Sequence, residues 1–136
     1  MGEDQAAGTG PFDTEGGAEW AADLRESGNL ALLIEEALGQ ATEEREWVEA
    51  YDGERALAAA EVVAAMRDGD RAGLPPDLLP ALEDTASPAP EVIEMAREAV
   101  DRVGAARSGL AESWAGAEGG SAWRAGLVRL RGRLAP

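Results

Sequence analysis

Residues 29–41 read NLALLIEEALGQA. Leu30, Leu33, Ile34, Ala37, Leu38 and Ala41 fall at offsets of 0, 3, 4, 7, 8 and 11, the spacing of one face of an α-helix. Asn29 stands where a capping side chain is needed, and Gly28 before it can close a preceding helix. No segment of the chain alternates with period two, and clusters of β-branched and aromatic residues are missing. The pattern predicts an all-α fold, a compact single-domain bundle of about six or seven short helices.

Upstream, Asp13 or Thr14 can cap a first helix whose inner face holds Trp20, Ala21 and Leu24. Residues 1–10, MGEDQAAGTG, are expected to form a flexible acidic N-terminal tail, leaving 11–136 as the single domain. Pro11 and Phe12 anchor that tail, with Phe12 as a staple onto the first helix. Downstream, TEEREWVEAYDG is expected to be a short helix or structured loop, broken at Asp52–Gly53, that delivers Trp47 and Tyr51 to the core.

Residues 55–68, RALAAAEVVAAMRD, form a further helix ending near Gly69, with Glu61 alone among ten apolar positions. At 100° per residue Glu54, Glu61 and Asp68 line up in one stripe, opposite Ala56, Ala59, Val63 and Met66. The expectation is therefore an amphipathic helix with Glu61 on its exposed polar stripe. Leu57, Ala58, Ala64 and Ala65 flank Glu61, however, and small residues let a neighbouring helix approach. If that face is covered, Glu61 becomes a buried acceptor for Arg97, Arg124 or an indole N–H such as that of Trp20.

The proline-rich stretch after Gly73 allows a short helix from Pro76 to Glu83. Another helix, capped at Ser87, buries Val92, Ile93, Ala96, Ala99, Val100 and Val103. Leu110 and Trp114 occupy one or two turns more. Ser121 caps the last helix, whose inner face carries Trp123, Leu127, Leu130 and Leu134.

Composition narrows the chemistry. The 136 residues contain neither Cys nor His, and every basic residue is Arg. Thiolate, imidazole and lysine mechanisms are thereby removed, which leaves an enzymatic role improbable on composition alone. No cofactor is expected. The formal charge of −15 argues against phosphate-mediated nucleic-acid binding. It suits a basic protein partner met by electrostatic steering. The last eighteen residues reverse the sign: Arg124, Arg129, Arg131 and Arg133 give 119–136 a charge of +4 and leave −19 on 1–118. The expected explanation is a basic C-terminal helix packed on its own acidic body. No segment is long and apolar enough to span a membrane, and the N-terminus lacks signal-peptide features, so a soluble cytoplasmic protein is expected.

For metal, the candidates are Glu15, Glu19 and Asp23, an i, i+4, i+8 row of like charges that a divalent ion would relieve. The calcium-loop pattern is absent, and a solvated acidic face is the simpler reading.

The segments GTGPFDTEGGAEWAADL (8–24), LAAAEVVAA (57–65), PPDLLPAL (75–82), EVIEMAREAVDRV (91–103), SGLAESW (108–114) and AWRAGLVRLRGRL (122–134) recur in this order in a bacterial family that the chain resembles, domain of unknown function 4259. The resemblance spans nearly the whole chain. Two departures stand out: the Trp usual beside the Thr of the glycine-rich turn is missing, and Thr14, Glu15, Gly16 and Gly17 replace an Asn/Asp-rich cap. The family brings no activity with it. Small families of this kind occur as immunity proteins beside bacterial toxins, which by analogy implies a non-enzymatic binding protein or antitoxin-like inhibitor; a carboxylate-based metal protein or a plain oligomerising module are the alternatives.

Overall fold

A computed structural model of the chain describes residues 9–43, 46–83 and 85–136. Among the described residues there are six α-helices and no strand: α1 (Glu15–Ser27), α2 (Leu30–Thr42), α3 (Ala50–Asp68), α4 (Pro90–Val103), α5 (Gly109–Trp114) and α6 (Gly120–Arg133). Two 3₁₀ segments, Pro11–Asp13 and Pro76–Leu82, complete the helical content. Of the expected N-terminal tail, residues 1–8 lie outside the described residues, while the N–H of Gly10 already donates to Asp13 Oδ2 at 3.1 Å. No helix among the described residues is long and apolar enough to cross a membrane.

The architecture is one central helix inside a sleeve. α3 packs against α1, α2, α4, α5 and α6. Its ten residues from Ala56 to Ala65 are all buried. A helix apolar around its whole circumference is a core helix, and alanine makes this one slender enough to be enclosed from every side. At 19 residues it runs about 28 Å through the molecule. The expected exposed stripe on this helix is therefore overturned: Glu61 is only 9% exposed, because α6 and the Asp70–Gly73 segment cover the face that its small neighbours left open. The expected break at Asp52–Gly53 is absent too. α3 runs straight through Gly53, which presses against Val103 and Leu110.

α1 and α2 meet at Gly28, whose φ of 71° suits a residue without Cβ. Thr14 caps α1 through the Gly17 N–H, and Asn29 caps α2 through the Leu32 N–H. Gly16 and Gly17 explain themselves by proximity. A Cβ on Gly16 would lie 2.8 Å from the Tyr51 carbonyl, and one on Gly17 would overlap the Pro11 carbonyl. Gly16 lets the start of α1 seat on α3, where its N–H donates to Glu54 Oε1 at 2.8 Å, while Gly17 makes room for the preceding turn. A carboxylate at a helix N-terminus also complements its dipole.

Elsewhere the sequence patterns map directly onto the core. Ala96, Ala99, Val100 and Val103 of α4 are buried, with Val92 and Ile93 partly so. Trp123, Leu127, Leu130 and Leu134 are buried as their spacing demands. Two caps shift by a residue or two. α4 is capped by Ala89 rather than Ser87, since Pro90 with its fixed φ begins the helix. α6 starts at Gly120, ahead of Ser121.

Candidate functional site

The stripe of α3 that sequence spacing picks out carries a connected polar cluster. The Arg133 guanidinium, at the end of α6, donates from Nη1 to Glu61 Oε2 at 2.6 Å. It forks onto Asp68 through Nε and Nη2 at 2.9 and 3.0 Å, and donates from Nη2 to the Asp70 carbonyl at 2.9 Å. Four of its five N–H donors are thus committed. The Asp68 contact, reinforced by Glu61 and opposed by burial, raises the Arg133 pKa beyond its already high ordinary value. The same hydrogen bond holds the Asp68 carboxyl below the usual carboxylate range.

This ion-pair cluster floors a cleft of about 400 Å³ between α3, α6, the Asp70–Gly73 segment and the turn at Thr9–Asp13. Leu57, Leu127 and Leu130 give it an apolar wall. The two carboxylates of the cluster, Glu61 and Asp68, are both tied to one arginine. They act as an anchor for α6, and a proton-transferring pair would need one of them released.

The acidic row on α1 has partners of its own. Glu19 accepts a hydrogen bond from the Tyr51 hydroxyl at 2.6 Å, and Asp23 pairs with Arg55 at 3.2 Å. Arg55 also lies over the Tyr51 ring, 5.5 Å from its centroid, and donates to its hydroxyl. The bond to Glu19 holds the tyrosine pKa above 10. Glu19 and Asp23 of this row are thus engaged by Tyr51 and Arg55 from α3, and the described residues contain no group of three acidic side chains placed to hold a metal ion. Tyr51 and Trp47 do not enter the core: they are 42% and 39% exposed. The inward position expected for them is taken by Val48, whose backbone pairs with Ser108.

The remaining candidates sit apart from Glu61. Trp20 is fully buried, and its indole N–H donates to the Leu33 carbonyl at 3.2 Å. Arg97 donates to the Leu134 carbonyl at 3.1 Å. Arg124 donates to the Gly104 carbonyl at 2.7 Å and lies over the Trp123 ring, which stacks on Trp114. None of the three is the hydrogen-bond partner of Glu61, because that place belongs to Arg133.

Residues 6–126 match the model of a family described as Domain of unknown function (DUF4259). The chain belongs to the DUF4259 family. No curated protein and no solved structure matches it. The DUF4259 match includes Glu61, Asp68 and the Gly16–Gly17 pair but stops short of Arg133.

Arg133 is the residue that sequence reasoning did not bring to the stripe of Glu61 and Asp68. The signal was present in two halves: carboxylates seven residues apart on α3, and an excess of arginine near the C-terminus. Nothing local joins positions 72 residues apart.

Proposed function

We propose that this DUF4259 protein is a non-catalytic cytoplasmic binding protein whose acidic surface receives a basic protein partner, in the manner of an immunity or antitoxin-like inhibitor. The observation that carries this reading is how its few cations are used. Among the described residues, Arg25, Arg55, Arg131 and Arg133 pair with the chain's own carboxylates. Arg67, Arg97 and Arg124 donate to its own backbone carbonyls. At least seven of the 12 arginines are therefore engaged internally, against 27 acids, so the outer surface is dominated by carboxylates. Such a surface repels phosphate and attracts cations over distances of about a Debye length. Glu35 and Glu36 on α2 and Glu91, Glu94 and Glu98 on α4 are among the exposed acids.

The test is a pull-down with the full chain against the products of neighbouring genes, at about 0.1 M and about 1 M salt. A basic partner retained at the lower salt and lost at the higher supports the reading. Retention of an acidic partner, or of none, overturns it.

A further inference from the structure

We infer that the segment leading into α3 and its first turn, carrying Trp47 and Tyr51 respectively, form the docking surface for an arginine- or lysine-rich segment of the partner protein. The inference rests on the acidic-surface reading above and gives it a place. Of the four tryptophans, Trp20 and Trp123 are buried and Trp114 is half-buried, whereas Trp47 stands 39% exposed.

Its backbone is nevertheless held firmly. The Val48 N–H donates to the Arg107 carbonyl at 3.0 Å, and the Gly109 N–H donates to the Val48 carbonyl at 2.8 Å. Val48 points inward at 1% exposure, so the alternation of extended backbone turns its neighbour Trp47 outward. Gly109 adds room for the ring: a Cβ there would lie 3.3 Å from Trp47 Cζ2. The result is a large aromatic surface whose backbone is already ordered. Such a group loses little conformational entropy on binding, and tryptophan and tyrosine dominate the energetics of protein interfaces.

Tyr51 lies four residues on, within about 14 Å by chain reach, and so inside a single interface of ordinary size. Its ring already carries one guanidinium, that of Arg55, while its hydroxyl is fixed on Glu19. The exposed carboxylates of Glu46 and Glu49 adjoin Trp47 in the chain. Exposed aromatic rings with exposed carboxylates one or two residues away in the chain suit a long basic side chain, whose stem lies on a ring while its charge reaches an acid. A second copy of this chain is a poor occupant, since it would set one charge of −15 against another.

The experiment titrates the full-length protein with an oligoarginine peptide at about 0.1 M salt, following the indole N–H signals by ¹H–¹⁵N NMR. The signal lost in Trp47→Ala identifies Trp47. In the wild type that signal shifts on titration, and Trp47→Ala binds the peptide at least about tenfold more weakly. Leu32→Ala, which removes an exposed apolar side chain on α2, leaves affinity unchanged. Equal affinity of Trp47→Ala and wild type, or an unmoved Trp47 signal in a wild type that binds, overturns the docking surface and leaves the acidic-surface reading standing. A wild type that ignores the peptide overturns both. A wild-type dimer by light scattering that Trp47→Ala converts to monomer assigns the surface to self-association and also overturns the inference.

Discussion

Arg133 and Glu61 predict an asymmetry between two single substitutions. Glu61→Gln removes one charge from the cluster but leaves Arg133 with both Asp68 bonds and the Asp70 carbonyl. Glutamine also retains an acceptor oxygen. The loss is the difference between a charge-assisted and a neutral hydrogen bond, on the order of 1 kcal/mol. Arg133→Met does something different. Asp68, with its side chain 35% exposed, falls back on water, but the Glu61 side chain is 12% exposed and is left without its counter-ion. Orphaning a buried charge costs about 3–5 kcal/mol, and the partial exposure of this pair places the expected value near the lower end, about 3 kcal/mol. In the double variant the orphaned charge is gone. Glu61→Gln therefore restores about 1–2 kcal/mol in the Arg133→Met background while costing stability in the wild type. Urea unfolding followed by circular dichroism measures all four proteins of this cycle. Equal losses in the two single variants, or a double variant additive within about 0.5 kcal/mol, would refute the argument that Glu61 depends on Arg133.

Three further outcomes follow from the same geometry. The chain has one tyrosine, so tyrosinate absorbance reports Tyr51 alone: its midpoint lies above pH 10 in the wild type and moves down in Glu19→Gln, whereas an unchanged midpoint would contradict the hydrogen bond to Glu19. Asp68 is depressed in the folded protein, so its contribution is present above the unfolded pKa of about 3.9 and disappears as pH falls through the lower folded value. Thermal melts should lose stability below about pH 4, less steeply in Asp68→Asn, and equal slopes would contradict the assignment. Gly17→Ala sets a methyl against the Pro11 carbonyl and should cost about 1–3 kcal/mol, seen as a Tm lowered by roughly 3–10 °C; an unchanged Tm would mean that the Thr14 cap moves freely.

How far the fold was legible depends on how one-sided each helix is. α2 and α6 present one apolar face to the core, and their spacing located Ile34, Leu38, Trp123 and Leu130 without error. α3 has no single inner face, so periodicity around Glu61 pointed to a solvent stripe where a helix packs instead. Alanine is the physical reason: it is apolar enough to be buried and small enough to carry little directional signal. Trp47 misled in the opposite sense, because size and hydrophobicity favour the interior while the Val48–Ser108 pairing decides which neighbour goes inside. The Gly16–Gly17 departure from the Asn/Asp-rich cap became intelligible only with the fold in place, since Gly16 gives clearance from α3 and Gly17 from the Pro11 carbonyl of the preceding turn.

The tether between α3 and the end of α6 bears on how the molecule is made. Synthesis delivers Glu61 into an apolar helix 72 residues before its cation exists. Until Arg133 has left the ribosome, the helix at the middle of the fold carries a charge that its sleeve cannot enclose at low cost. Arg67 and Arg97 await the same late arrivals, the carbonyls of Arg133 and Leu134. Closure of the core thereby waits on residues 133 and 134, and a chain truncated before Arg133 retains every helix-forming signal of α1 to α5 but lacks the guanidinium that lets α3 be buried.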